Sequence, residues 1–233
     1  MFLKHRVSRS IVVSLFIVST SFAYNLPDHK RVTAQALQEF NSCFQNIISP
    51  QFQKEIQNGN RNEDLNFFRK FLSSSHYYHP EKELDMFRNS SFTRIIDLHR
   101  EMRDLYKNER RLTPHMMNLM GHAIHHIQDM TSPLHVVPVT HGLNDGFESY
   151  EISDEDFEKY NQKHAEDCSF FTHITLEDMR FTLHQTALKT LNGARGTLEA
   201  FVNQAPLQIF WNNFWSESSN NSFGKYGFLG SRP

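Results

Sequence analysis

The chain contains 233 residues, with a formal net charge of −2 at pH 7, 39% hydrophobic residues and 21% charged residues. This length is ample to bury a core, and the composition excludes a disordered chain. The near-neutral charge argues against a protein that binds nucleic acid through a broad basic surface. The sequence has 14 His but only 2 Cys. A metal site in this chain would therefore use imidazoles and carboxylates rather than thiolates.

The first 23 residues have the pattern of a secretory signal peptide. Three basic residues precede an apolar run from Ile11 to Val18, and Ser21-Phe22-Ala23 places small residues at positions −3 and −1 of a cleavage site. The apolar run is short for a membrane-spanning helix, although an uncleaved anchor is the alternative. Cleavage after Ala23 would expose Tyr24 and leave 24-233 as the mature domain.

The mature protein is expected to be secreted, to the extracellular space or the periplasm. No other stretch approaches membrane-spanning length, so no integral span is expected after processing. Export would permit a disulfide between Cys43 and Cys168, although the sequence alone does not show that the two residues are close together.

Apolar residues recur at helical spacing in several segments of the mature chain. Arg31 to Ile48 and Ser91 to Asn108 are predicted to be helices. Thr113-Pro114 is typical of an N-cap and first helical position, and the helix it opens would stop before Pro133. Thr175 to Val202 is a further predicted helix, with two glycines tolerated at some cost.

The segments between these helices are rich in Gly, Ser and Asn. Asn58-Gly59-Asn60, Thr140 to Gly146 and Ser216 to Ser222 are predicted to be loops. The aromatic segment Leu207 to Trp215 could contact a lipid interface, but a C-terminal helix that packs on the domain is favoured. No repeat or linker divides the chain, so we predict one all-α domain.

The strongest chemical signal is the run from Gly121 to His135. His125 and Asp129 are four residues apart on the predicted helix and share one face, and the turn at Pro133 can bring His135 back towards the helix end. An imidazole and a carboxylate at this spacing form half of a zinc site. By itself the pair is a weak signal, because a polar helix face with satisfied histidines would also supply it.

The pattern His125-xxx-Asp129-xxxxx-His135, with Pro133-Leu134 before the last His, resembles the zinc-dependent phospholipase C and P1 nuclease superfamily. Two other segments resemble family motifs in the same order. They are Ser75-His76-Tyr77-Tyr78-His79-Pro80, in which His76 matches a ligand, and Gly59 to Asp64, in which Asp64 is preferred over Glu63. The family also uses the amino group of the first mature residue, usually Trp, where this chain has Tyr24, and a His nearby, here His29.

The resemblance implies a single multi-helix domain of the phospholipase C/P1 nuclease type with up to three zinc ions. One ion would be bound by Asp64, His76, His125 and Asp129. A second would be bound by Asp129, His29 and the Tyr24 amino and carbonyl groups. A third would be bound by His135, His141 and Asp145, with Glu148 as the alternative carboxylate. His141 follows His135 more closely than is usual in the family.

The same resemblance gives Asp64 a second, catalytic role, in orienting or deprotonating the attacking water. The surrounding histidines are interpreted as supporting residues at most; they are His79, His115, His122 and His126. Nothing in the sequence indicates a Ser or Cys triad.

The expected activity is that of a phospholipase C, which cleaves the glycerol–phosphate bond of phospholipids at a membrane surface. The Ser75 to Pro80 segment and Gly146-Phe147-Glu148 favour this branch, whereas the offset of His29 from Tyr24 favours a P1-like single-strand nuclease. A third possibility is a non-catalytic secreted protein with a degenerate zinc site, supported by the shortened third subsite.

Overall fold

The computed structural model describes residues 26–65, 75–81, 90–137, 151–164, 168, 177–195, 197–202 and 205–210. The helices are α1 (Leu26–Cys43), α2 (Pro50–Leu65), α3 (Ser91–Glu109), α4 (Pro114–Asp129), α5 (Pro133–Val136), α6 (Asp154–His164) and α7 (Glu177–Arg195). An antiparallel hairpin follows, with β1 (Thr197–Val202) paired to β2 (Ala205–Phe210) so that Thr197 is opposite Phe210. The described part of the chain is therefore mainly helical, in agreement with the predicted class.

Helix α4 is the central element, and it packs on α1, α2, α3 and α7. Twelve of its residues are buried, which include Leu119, Ile124 and Ile127 on its apolar face. Leu37, Ile56, Leu98 and Leu183 reach the same core from the surrounding helices. Because α4 is buried on nearly all sides, most of its polar side chains face residues of the neighbouring elements rather than solvent.

Two glycines allow α2 and α4 to cross in direct backbone contact. A Cβ atom added at Gly59 would lie 1.9 Å from the carbonyl oxygen of Asn118, and one at Gly121 would lie 2.0 Å from that of Ile56. Neither position has room for a side chain, so each glycine sets the distance between the helices. The crossing lies next to the stretch of α2 that carries Asp64.

The start of α4 follows the rules of helix capping. The Thr113 hydroxyl accepts a hydrogen bond from the Met116 amide at 3.2 Å, with Pro114 at the first helical position. This confirms the predicted start of α4. Helix α4 ends at Asp129, before Pro133 as predicted, and Pro133 itself opens the one-turn helix α5.

Four sequence-based predictions were wrong in detail. Asn58-Gly59-Asn60 is not a loop but part of α2, because the packing of Gly59 against α4 outweighs the low helix propensity of these residues. Helix α1 spans Leu26–Cys43 rather than Arg31 to Ile48. The helix predicted over Thr175 to Val202 ends at Arg195, shortly after Gly193, and β1 follows.

The fourth error concerns the aromatic segment near the C-terminus. Leu207 to Phe210 belong to β2 rather than to a C-terminal helix. The alternation of apolar and polar residues in Leu207-Gln208-Ile209 is a short strand pattern that the aromatic content of the segment obscured. The remainder, from Trp211 to Trp215, lies outside the described residues, as do the loops predicted at Thr140 to Gly146 and Ser216 to Ser222.

Cys43 and Cys168 form a disulfide, with their Cα atoms 5.6 Å apart. The bond joins the end of α1 to a residue 125 positions further along the chain. The pairing that the sequence only allowed is thus present in the structure. In the described ranges, none of the helices combines the length and apolarity needed to cross a membrane.

Candidate metal site

Five of the side chains predicted to bind zinc meet at the C-terminal end of α4. They come from four separate segments, and we call them the metal cluster: His29 of α1, Asp64 of α2, His76 of the 75–81 segment, and His125 and Asp129 of α4. His125 is fully buried, and His29, His76 and Asp129 are at most 5% exposed. Residues almost 100 positions apart in sequence therefore share one small polar site inside the core.

Asp129 is the centre of the cluster. Its Oδ2 atom lies 2.7 Å from Nδ1 of His76, while Oδ1 lies 3.6 Å from Nε2 of His29 and 3.4 Å from Nε2 of His125. The same His125 nitrogen is 3.4 Å from Oδ1 of Asp64. The carboxylate thus contacts three imidazoles, as the predicted bridging role of Asp129 requires.

Two sets of three residues have potential donor atoms close enough to share an ion. His76, His125 and Asp129 form one set, and His29, Asp64 and His125 form the other; within each, the donor atoms lie within 4.8 Å of one another. Within the described residues, neither ring nitrogen of His125 nor Nε2 of His76 has a hydrogen-bond partner. Buried polar atoms without partners are costly, so a bound cation would satisfy atoms that the protein leaves unsatisfied.

The cluster is strongly coupled electrostatically. Burial lowers the pKa of His125, but the charges of Asp129 and Asp64 outweigh burial and raise this pKa well above its usual value. Burial would raise the pKa of Asp129, but His125 and His135 hold it well below its usual value. The His125 imidazole and the Asp129 carboxylate thus each favour the charged form of the other, so a metal ion would compete with a proton for this site.

The segment that carries His76 is fixed by hydrogen bonds to neighbouring elements. The Tyr78 amide donates to the His135 carbonyl at 2.9 Å, and the Ser91 hydroxyl at the start of α3 donates to the Ser75 carbonyl at 2.8 Å. Nδ1 of His135 lies 2.8 Å from the His76 carbonyl and donates to it. Segment 75–81 is thereby tied to α5 and α3, which holds His76 against Asp129.

His135 lies beside the metal cluster rather than in either set of three. It is buried, its ring is 6.3 Å from that of His76, and it stacks on Tyr77 at 5.4 Å. Its predicted partners His141, Asp145 and Glu148 lie outside the described residues, as does Tyr24. Their ligand roles remain predictions.

A second group of acidic and basic side chains lies beside the metal cluster, with the rings of His126 and His76 5.2 Å apart, and we call it the Glu63 cluster. Glu63 is fully buried, with Oε1 3.1 Å from Nε2 of His126 and Oε2 2.5 Å from Nδ1 of His122. Nε of Arg94 is 3.6 Å from Oε1. The structure therefore places Asp64 towards the metal cluster and Glu63 towards two of the supporting histidines, as the preference for Asp64 implied.

Burial and the two histidines act in opposite directions on Glu63. Burial would raise the pKa of its carboxyl, but hydrogen bonds from His122 and His126 outweigh burial and lower it. Burial lowers the pKa of His126 to about 4, because the attraction of Glu63 only partly compensates. Glu63 is thus a buried carboxylate held by neighbouring nitrogen donors.

Sequence reasoning missed the amide residues that surround His29. Gln128 is buried beside Asp129, and its Oε1 atom is 2.9 Å from Nδ1 of His29 and 2.8 Å from Nδ2 of Asn60. A signal was present, because Asn60 and Asp64 are four residues apart. On a helix, this spacing places the two side chains on one face.

The remaining histidines near the motifs do not join the metal cluster. His115 is exposed and lies 3.5 Å from a carboxylate oxygen of Glu101. His79 is buried, and its Nδ1 atom accepts a hydrogen bond from the Glu81 amide at 3.2 Å. Both are consistent with the minor roles expected of them.

Comparison with known proteins adds no relative. No protein-family model, no curated protein and no solved structure matches the chain. The metal site is therefore supported by the geometry of the cluster. The resemblance to the phospholipase C and P1 nuclease superfamily is supported by the sequence motifs alone.

Proposed function

We propose that the protein is a zinc-dependent phosphodiester hydrolase and that its substrates are phospholipids. The observation that carries the proposal is the meeting of His29, Asp64, His76, His125 and Asp129 in one buried cluster. The motif resemblance indicates these same five residues, and they come together from four segments of the chain.

The donor atoms suit zinc. Imidazole nitrogens and carboxylate oxygens are zinc ligands at catalytic sites, and both cysteines are committed to the disulfide. His76, His125 and Asp129 would hold one ion, with Asp64 close by. Because one imidazole nitrogen binds one ion, a neighbouring ion would use His29 and an oxygen of Asp129 rather than His125. A bound zinc ion would supply Lewis-acid polarisation of a phosphoryl oxygen and a lowered pKa for a bound water.

The protein's own side chains supply the rest of the chemistry. Asp129 contributes the negative charge that attracts a cation into the core and contacts three imidazoles around it. The Asp64 side chain is 8% exposed, with Oδ1 3.4 Å from Nε2 of His125, and it would orient an attacking water or accept its proton. The activity needs no protein nucleophile.

Two features support export as part of the proposal. The Cys43–Cys168 disulfide suits an oxidising compartment, and the first 23 residues have a signal-peptide pattern. We further propose that cleavage before Tyr24 exposes an amino group that completes the second zinc site. A variant with one extra residue ahead of Tyr24 is expected to lose zinc and activity, and full activity in that variant would contradict the amino-terminal ligand.

The phospholipid substrate is supported by the Ser75 to Pro80 motif, while the single-strand nuclease is the alternative that the His29 offset supports. The formal charge of −2 gives no general attraction for nucleic acid. Substrate choice is therefore best decided by direct assay.

The deciding experiment starts with metal analysis of the purified mature protein, followed by hydrolysis assays on phosphatidylcholine vesicles and on single-stranded DNA. We expect at least two zinc ions and release of phosphocholine. His125→Ala should abolish both, whereas His115→Ala, which removes an exposed His on the same helix, should change neither. Hydrolysis of DNA alone would favour the nuclease, and zinc without hydrolysis would favour the non-catalytic protein. Absence of bound metal would contradict both hydrolases.

A further inference from the structure

Gln128 is a buried amide next to Asp129 that none of the motifs includes. Its side chain contacts three segments at once. Oε1 is 2.9 Å from Nδ1 of His29 and accepts a hydrogen bond from Nδ2 of Asn60 at 2.8 Å, while Nε2 donates to the hydroxyl of Thr33 at 3.1 Å. In this orientation each end of the amide has a hydrogen-bond partner of the required kind.

This orientation determines which nitrogen of His29 carries the proton. A carbonyl oxygen can only accept, so Nδ1 of His29 must be the donor in its contact with Gln128. A neutral imidazole has a single N–H group, and Nε2 is then left with a lone pair. The lone pair is on the nitrogen that lies 3.6 Å from Oδ1 of Asp129.

The His29 ring is also fixed in direction. It stacks on the ring of His125 with centroids 4.4 Å apart, and the residue is only 3% exposed. Stacking restrains the ring plane, and the contact with Gln128 restrains its rotation. Together they direct Nε2 towards Asp129 and Asp64, where the second set of potential ligands lies.

We propose that Gln128 is a positioning residue that fixes the Nδ1–H tautomer of His29 and so presents Nε2 to a metal ion. The inference rests on the proposed function only in that a metal occupies the cluster. The tautomer itself is a property of the metal-free protein. Groups that orient a metal-bound imidazole through its other nitrogen typically change metal affinity 10- to 100-fold when removed.

The first test is nitrogen-15 NMR of metal-free protein labelled at histidine, which assigns the proton of His29 to Nδ1 or Nε2. In the wild type we expect Nδ1–H. Gln128→Leu keeps the bulk but removes the acceptor, and it should give the Nε2–H form or a mixture. Gln128→Glu restores an acceptor and should restore Nδ1–H. An Nε2–H tautomer in the wild type would overturn the proposal.

The second test is zinc affinity measured by competition with a chelator. Gln128→Leu should weaken the site that contains His29 about 10- to 100-fold, and Gln128→Glu should recover most of the affinity. Gln35→Leu is the matched control, because it makes the same substitution at a glutamine of α1 that contacts Glu39 and not the cluster. Equal affinities for Gln128→Leu and Gln35→Leu would overturn the proposal.

The two tests separate this inference from the proposed function. A protein that binds zinc but hydrolyses neither substrate would contradict the hydrolase and leave both readouts intact. If Gln128→Leu fails to fold, as judged by circular dichroism, Thr33→Val takes its place. It frees the other end of the amide, and a mixed His29 tautomer is expected, whereas an unchanged tautomer and unchanged zinc affinity would count against positioning through Gln128.

Discussion

The metal cluster and the Glu63 cluster both combine carboxylates with imidazoles and both use helices α2 and α4, yet their pairing differs. Asp129 contacts three imidazoles, whereas Glu63 is held by two imidazoles with the guanidinium of Arg94 nearby. A permanent positive charge beside Glu63 opposes the binding of a cation there. The presence of carboxylates and imidazoles alone therefore does not identify a metal site. The positive charge of Arg94 beside Glu63 distinguishes the two clusters.

The most direct test of this difference is to remove the carboxylate charge from each cluster in turn and compare the zinc affinities. Asp129→Asn keeps the shape of the side chain but removes the charge that attracts a cation, and zinc affinity should fall more than about 100-fold. Glu63→Gln, the matched variant, should keep its zinc. Chelator competition on both proteins measures the difference, and equal zinc loss in the two would show that the clusters act as one site.

The same Glu63→Gln variant should have the larger effect on stability. It leaves the buried His126, the half-buried His122 and Arg94 without their carboxylate. Removing one partner of a buried charged group costs about 3–5 kcal/mol. Urea unfolding with chelator present measures this cost without the contribution of metal. Glu101→Gln is the control, because its contact with His115 is at the surface, where a loss of no more than about 1 kcal/mol is expected. A loss that small in Glu63→Gln would mean that Glu63 is not a structural anchor.

Only the His125–Asp129 pair of the metal cluster follows from local spacing, whereas His29, Asp64 and His76 were predicted from the resemblance to the superfamily. The spacing of His125 and Asp129 sets a shared face on any helix, and Thr113-Pro114 marks where that helix begins. The pairing of α2 with α4 could not be predicted, since it depends on the close approach of Gly59 to Asn118 and of Gly121 to Ile56, which are 59 and 65 positions apart in sequence. A glycine beside two asparagines is typical of a turn, and only tertiary packing overrides that preference.

The hydrogen bonds that support the cluster could not be predicted either, because they join residues that are far apart in sequence. Gln128 reaches His29 and Thr33 across 99 and 95 residues of sequence. No spacing rule links such residues. The motif identifies the groups that can bind a metal, while the amides that orient them follow only from the packing of α1, α2 and α4.

Both clusters depend on the close crossing of α2 and α4, so a change there should affect them together. Gly121→Ala places a methyl group 2.0 Å from the Ile56 carbonyl oxygen, and separating the helices should cost about 2–3 kcal/mol and weaken zinc binding. Gly193→Ala is the matched control, because its Cβ would meet no atom within 4 Å on α7. It should leave stability unchanged or raise it by up to about 1 kcal/mol. Equal stability in the two variants would contradict the tight crossing.

The smallest expected effect is an acid sensitivity that belongs to the Glu63 cluster. The pKa of His126 is lowered to about 4 by burial, against 6.5 in an exposed His. Between pH 6.5 and 4 the unfolded chain takes up a proton that the native protein does not, so stability falls as the pH falls through this window. The lowered pKa of Glu63 acts in the same direction below pH 4.5. Urea unfolding with chelator present should show the wild type losing about 1–2 kcal/mol more than His126→Gln between pH 7.5 and 4.5. The glutamine amide can still donate to Glu63 but does not titrate, so equal losses in the two proteins would place the acid sensitivity outside this cluster.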